Sequence, residues 1–279
     1  MGCFVTILFK RYLDFNILKE VIIMNGDLEN RVIEGTKVLY TGPMCASKSL
    51  QLIHAYGQLT SIKQEVYPFV HASNDSMKSE IVSRLKGTEG EISIPASKVR
   101  NSMEILFAMD EMIWSYLGRY PYQSFSWNQS IINQLKENDK LVSVKGMLRW
   151  NPQIYVLIDE INFFDGNIKE VIQKLSYYGV NVIAGGLEHD FRKELFTLSD
   201  NVTVSDIAGI SDEHIKLNAR CQYQVKNGIF CGDKAIYTQR FRDVAHMEPS
   251  HYSDELIISD KRLYVPVCRE HHYVPGKFN

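Results

Sequence analysis

The segment that most limits how this chain folds is Gly42-Pro43-Met44-Cys45-Ala46-Ser47-Lys48-Ser49, set between an apolar run and an amphipathic one. Thr36 to Thr41 reads as a short buried strand, and Gly42-Pro43 ends it. Leu52, Ile53, Tyr56 and Leu59 then recur at spacings of three and four, the mark of a helix with one apolar face. A lysine in the first turn of a helix opposes the helix dipole, so Lys48 asks for an anion beside it. The pattern G-x-x-x-x-G-K-[ST] is met at every position except the second glycine, where Ser47 stands. In that chemistry the N–H groups of the loop and of the helix start point at phosphate oxygens. Lys48 faces the β- and γ-phosphates, and the Ser49 hydroxyl is a magnesium ligand. Ser47 departs from the pattern because glycine tolerates backbone angles and a close ligand approach that a side chain resists.

Strand and helix patterns go on alternating. Val66 to Val70 reads as a second strand, and Ile154-Tyr155-Val156-Leu157-Ile158 as a strand buried on both faces. Ile168, Val171, Ile172 and Leu175 mark a helix face closed by Gly179, and Val180 to Ala184 is a further strand. This alternation predicts an α/β fold, a phosphate-loop NTPase-like and mostly parallel sheet with helices on both faces. Residues 101–150 differ. Ile105, Leu106, Met109, Met112, Ile113, Tyr116 and Leu117 form a helical stripe. An aromatic and polar stretch runs from Tyr120 to Trp127, and a second helix is expected over about Asn128 to Glu137. They read as an inserted helical covering layer. The expected division is an extension over 1–35, a main domain over 36–210 carrying that insertion, and a small lobe over 211–279 where cysteines and histidines gather.

Composition narrows the classes further. Hydrophobic residues make up 45% and charged residues 23%, ordinary globular usage that excludes a disordered chain. The 31 basic residues against 33 acidic ones leave a net charge of −2, so a basic nucleic-acid footprint is not expected. No apolar run reaches the length of a membrane span. Five cysteines in a chain this long do not read as a disulfide scaffold; a reducing, cytoplasmic setting is expected, with the clustered cysteines available to a metal.

Two further constellations carry chemistry. The strand 154–158 runs into Asp159-Glu160. A hydrophobic strand ending in Asp is the usual second half of a phosphate-loop site, where that carboxylate serves magnesium. Glu160 beside it suits a general base on a hydroxyl nucleophile. Near the C-terminus, Cys221, Cys231, Cys268 and His271 form the pairs C-x9-C and C-x2-H. Four soft ligands in two pairs suit a closed, structural tetrahedral zinc site. The first pair is wide, and Asn227-Gly228 within it is a hairpin signal that would bring the two sulfurs together. His272 competes with His271 for the fourth position.

These pieces, in this order, resemble the type II thymidine kinase family. The likeness runs from about Lys37 to Tyr273. The family's G-P-M-F-S-G-K-S/T loop matches residues 42–49, and its D-E-x-Q-F-F matches Asp159-Glu160-Ile161-Asn162-Phe163-Phe164. Its A-A-L-D-G-T-F-x-R-x-P-F matches Gly185 to Phe196, and K-L-x-A-x-C matches Lys216 to Cys221. A-x-Y-T-x-R matches Ala235 to Arg240, and Y-x-x-x-C-R-x-[CH] matches Tyr264 to His271. The resemblance implies a phosphate-loop α/β domain with a small zinc lobe, whose lasso-like loop closes over a nucleoside, assembled as a homotetramer. It implies transfer of the γ-phosphate of ATP to the 5′-hydroxyl of thymidine or deoxyuridine. Glu160 is then the base. Gly42, Pro43, Met44, Cys45, Ala46, Ser47, Lys48, Ser49, Asp159 and Asn162 bind ATP, and Ser49 and Asp159 serve magnesium. Met44, Leu187, Phe191 and Phe196 wall the nucleoside pocket, while Tyr264 belongs to the closing loop. Read without the family, those aromatic residues are core. No nucleic acid or membrane partner is expected.

The chain departs from the family at Ser47, at the stretched Cys221/Cys231 pair, in the leader and in the insertion. It departs also at Asp75-Ser76-Met77, where the family carries D-x-R. These departures frame a second reading, a catalytically impaired relative that binds nucleotide and serves as a binding or assembly protein. A zinc-ribbon nucleic-acid-binding ATPase fits poorly with the near-neutral charge.

Overall fold

A computed structural model of the chain describes residues 31–73, 79–84, 90–118, 125–226, 228–255 and 263–277. The expectations for most of the leader, for Asp75-Ser76-Met77, for Tyr120 to Ser124 and for Asn227 lie outside these residues. Six strands form one sheet in the order β10-β1-β9-β8-β2-β5, every neighbouring pair parallel. They are β1 (Lys37–Thr41), β2 (Glu65–His71), β5 (Ser97–Val99), β8 (Ile154–Asp159), β9 (Asn181–Gly186) and β10 (Glu213–Lys216). The expected α/β class with a parallel sheet is therefore what the chain adopts.

The apolar runs become the central strands because a parallel sheet is covered on both faces. In β8 all but Tyr155 are buried, and Leu39, Val156, Leu157 and Ile158 are inaccessible to solvent. Helix α1 (Lys48–Ser61) buries Leu52 and Ile53 against Leu157 of the sheet. Ile81 and Ile94 complete that cluster from an antiparallel hairpin, β3 (Glu80–Arg84) with β4 (Glu91–Pro95), which the sequence reading did not foresee. Helix α4 (Ile168–Tyr177) buries Ile168, Val171, Ile172 and Leu175, the predicted face, and Gly179 N–H bonds the Ser176 carbonyl at its end. Strand β10 hydrogen-bonds to β1, so a strand beyond residue 210 belongs to the main sheet.

The chain divides into two compact units, and the division falls inside α2 (Ser102–Tyr116). One unit is Phe107–Arg149 with the described residues before Glu34. It holds most of α2, α3 (Gln129–Glu137) and a hairpin of β6 (Leu141–Val144) with β7 (Met147–Trp150), except Trp150 at its end, which belongs to the other unit. Both expected helices form. Asn128 caps α3, its side chain accepting from Ile131 N–H at 2.9 Å, as its residue type favours. Leu106, Met109, Ile113 and Leu117 of the stripe are buried.

The other unit, Glu34–Leu106 with Trp150–Asn279, contains the sheet and the C-terminal small strands. Helix α5 (Val204–Ile210) leads into β10. Beyond it, β11 (Ala219–Arg220) pairs with β14 (Lys234–Ala235), and β12 (Gln224–Lys226) with β13 (Ile229–Phe230). β15 (Tyr237–Asp243) pairs with β16 (Glu248–Pro249) and β17 (Tyr264–Val267). No helix among the described residues is long and apolar enough to cross a membrane.

Candidate active site and metal centre

Because every strand of the sheet points the same way, Thr41, Asp159 and Gly186 end on one edge, the edge where open parallel sheets bind ligands. The loop 42–47 leaves β1 there and returns into α1. Gly42 sits at φ 151°, and a Cβ on it would lie 2.4 Å from the Leu217 carbonyl oxygen. Cys45 and Ser47 both take positive φ, 60° and 65°. Ser47 occupies the position before the helix where the pattern has glycine, and it adopts the left-handed backbone that glycine adopts without cost.

The two halves of the expected site meet. Ser49 Oγ donates to Asp159 Oδ2 at 2.7 Å, and Asp159 Oδ1 accepts the Glu160 backbone N–H at 2.9 Å. Asp159 is 4% exposed. Burial, then the adjoining Glu160 charge, lifts its carboxyl to about 6. Burial lowers the Lys48 ammonium to about 8 against the opposing pull of Asp159, Cys45 and Glu160. Lys48 Nζ donates to the carbonyls of Gly42 at 3.0 Å and Pro43 at 2.8 Å, which curls it over the loop it serves. Glu160 is half-buried and held at φ 54°, ψ 45°, a left-handed backbone unusual for a glutamate and typical of strained functional positions.

Asn162 is buried in the short turn after the acids, Ile161–Phe163, and its Oδ1 accepts Leu187 N–H at 2.9 Å. A Cβ on Gly186 would lie 3.0 Å from that same oxygen, so glycine there permits the approach. Among the described residues the Asn162 Nδ2 has no partner although buried. Leu187 is thus joined to the acid turn, and Phe196 meets Phe163 edge-on at 6.1 Å between ring centres. Phe191 is 1% exposed, beneath the guanidinium groups of Arg192 and Arg240 at 4.7 and 5.6 Å. Tyr264 opens β17 opposite Arg240.

Nothing in the run Ala235 to Arg240 marks Thr238 for a role in the site. In the fold its hydroxyl, buried in β15, accepts the Met44 N–H at 2.9 Å and so anchors the phosphate loop. A threonine in a strand buried from Thr238 to Phe241 carries no mark of that duty, which only the tertiary placement supplies.

The separation of 2.7 Å between Ser49 Oγ and Asp159 Oδ2 is close to the ~2.9 Å expected of two neighbouring oxygens around magnesium. A hydroxyl and a carboxylate are also the hard ligands magnesium takes, so these residues fit that ion.

Near the C-terminus Cys221, Cys231, Cys268 and His271 place their ligand atoms within 4.8 Å of one another. Cys231 and Cys268 Sγ lie 4.0 Å apart. His271 Nδ1 lies 3.6 Å from Cys221 Sγ and 3.2 Å from Cys268 Sγ. Tetrahedral zinc sets such edges at roughly 3.5–3.8 Å, so the cluster fits the ion. Tyr223 stacks on the His271 ring at 4.3 Å and fixes its plane. His272 points elsewhere: its Nε2 lies 2.8 Å from the Phe191 carbonyl oxygen. The wide spacing between Cys221 and Cys231 is spanned by the β12–β13 hairpin, which folds the chain back.

Comparison with known proteins gives three findings. The family model described as thymidine kinase matches residues 119–272, more than half of the chain. A thymidine kinase of Mycoplasmoides gallisepticum (strain R(low / passage 15 / clone 2)) is 36% identical over 158 residues, 53% of this chain and 63% of that protein's length. Among solved structures, Thermomonospora curvata EccC (ATPases 2 and 3) in complex with a signal sequence peptide aligns at 11% identity with a TM-score of 0.28, over 57% of this chain and 29% of that one.

Proposed function

The chain belongs to the thymidine kinase family, and from that premise we propose that it transfers the γ-phosphate of ATP to the 5′-hydroxyl of thymidine or deoxyuridine. The observation that carries the reading is the 2.7 Å hydrogen bond from Ser49 to Asp159, which joins the phosphate loop to the acid pair at one sheet edge. In this reading the loop N–H groups and Lys48 hold the triphosphate, and Ser49 and Asp159 hold magnesium, which supplies charge neutralisation when bound. Glu160 accepts the 5′-hydroxyl proton as the oxygen attacks in line. Catalysis comes from positioning and electrostatics, because phosphoryl transfer asks for little covalent participation by the protein. Met44, Leu187, Phe191, Phe196 and Tyr264 form the nucleoside pocket in this reading, and the buried, unpartnered Asn162 amide serves ATP.

The same proposal makes the segment after β10, from about residue 217, a zinc-bearing lobe, the protein a homotetramer, and its setting the cytoplasm. Transfer of label from γ-labelled ATP to thymidine, deoxyuridine and deoxycytidine tests the central claim. Wild type is expected to phosphorylate thymidine, and Glu160→Gln to lose about a hundredfold or more in kcat with nucleotide binding retained. Wild-type protein that binds thymidine and ATP but turns over no nucleoside would overturn the assignment. Sedimentation tests the tetramer, and elemental analysis tests for about one zinc per chain.

A further inference from the structure

We infer that Arg220 and Lys234 form a cationic extension of the phosphate loop that receives the phosphate groups of the nucleotide donor. The inference rests on the kinase reading for the identity of that donor. A groove of about 430 Å³ lies beside the loop, lined by Cys45 and Ser47 on one side and by Asn218, Ala219, Arg220 and Lys234 on the other. Arg220 and Lys234 are direct cross-strand partners on the two-residue ladder of β11 and β14, so both side chains leave the same face.

Like charges placed opposite one another on a ladder repel. Among the described residues neither takes part in an ion pair. Arg220 makes one long hydrogen bond, 3.4 Å to the Gly232 carbonyl, and Lys234 makes none through its ammonium. Asp233, the nearest acid in sequence, lies against Cys231 Sγ at 3.3 Å and forms no ion pair with either cation among the described residues. An anion in the groove removes the repulsion that the pair otherwise bears.

Charge balance in the loop asks for such help. At this sheet edge Lys48 faces two carboxylates, Asp159 and Glu160, and Lys216, opposite Thr41, is paired with Glu188. A polyanion entering there meets a site that is not positive on balance. The two cations across the groove supply the missing charge beside Ser47, the residue where the loop departs from its pattern.

The test is equilibrium binding of ATP and of inorganic tripolyphosphate to the full chain. It compares wild type, the neutral pair Arg220→Gln/Lys234→Gln and the charge-keeping pair Arg220→Lys/Lys234→Arg. The neutral pair is expected to raise both dissociation constants about tenfold and to flatten their dependence on salt. Thymidine affinity should not move, and the charge-keeping pair should stay within about threefold of wild type. Unchanged ATP and tripolyphosphate affinity in a neutral variant that melts normally and keeps its metal would overturn the inference. Loss of tripolyphosphate binding alone, with ATP affinity intact, would overturn the donor assignment. A wild-type chain that phosphorylates no nucleoside, yet binds ATP through this pair, would sink the kinase reading and leave the groove assignment standing.

Discussion

At the scale of single residues the phosphate loop holds two kinds of tension. Ser47 takes a φ of 65°, where a side chain costs about 1 kcal/mol that glycine does not bear. Ser47→Gly is expected to stabilise the ligand-free protein by about 1 kcal/mol, a rise of ~2 °C in Tm for a chain this size. A melting curve shifted downward would show that the serine makes a contact worth more than its backbone. The second tension is electrostatic. Burial lifts Asp159 to about 6 from 3.8 and lowers Lys48 to about 8 from 10.5. The folded state holds the Asp159 proton more tightly than the unfolded chain does, so stability falls as pH rises from about 4 through 6. For Lys48 the unfolded chain holds the proton more tightly, so stability returns as pH rises from about 8 through 10.5. Between pH 6 and 8 both groups are charged at the expense of the fold, in the state suited to a magnesium–nucleotide complex. Urea titrations across this range should show Asp159→Asn removing the acid-side loss; a variant with the same profile as wild type would exclude Asp159 as its source.

At the scale of elements, Thr238 is where a strand serves the loop. The hydroxyl sits on β15 and accepts from Met44 N–H, so Thr238→Val leaves that amide without its acceptor. A loss of about 1–2 kcal/mol is expected in chemical denaturation, with most of it restored by Thr238→Ser. A larger loss in Thr238→Ser than in Thr238→Val would point instead to the methyl group, which valine keeps. Elements of this kind divide by how they show in the sequence. β8 and β9 are readable because a strand covered on both faces is largely apolar, β1 because of its apolar Val38-Leu39-Tyr40 run although only Leu39 and Thr41 are buried, and α1 and α4 because one buried face imposes its period. The hairpin β3–β4 is not, since β4 buries Ile94 alone and the Ile92-Ser93-Ile94 alternation is too short to mark a strand. The β6–β7 turn is Lys145-Gly146, both at positive φ, where a lysine gives a much weaker signal than Asn-Gly. The two-residue strands β11 and β14 are too short for any period, so nothing in the sequence marks Arg220 and Lys234, whereas Lys48, Asp159 and the Cys/His quartet each carry their own chemistry.

At the scale of the whole molecule, the distant segments that build the Cys/His cluster also brace the loop 42–47. Cys268 follows β17, which runs antiparallel to β15 with Thr238 opposite Pro266. Cys221 follows the segment whose Leu217 carbonyl closes over Gly42, and Leu217 N–H bonds the Thr41 carbonyl at the end of β1. The quartet therefore ties together two segments that touch the loop at Gly42 and Met44, and binding energy of a structural zinc is folding energy for whatever it ties. Stripping the metal with a chelator should accordingly do more than lower Tm. It should loosen β15 against β17, release the Thr238 anchor and weaken ATP binding about tenfold or more, while the strands β8 and β9, which have no ligand residue, keep their slow hydrogen exchange. Amide exchange is the discriminating measurement, with the Met44 N–H as its reporter. Fast exchange at Met44 in the metal-free protein, slowed again on adding zinc, is the expected result. A Met44 amide equally protected with and without metal would mean that the loop is braced by the sheet alone, and that the lobe's metal serves only the lobe.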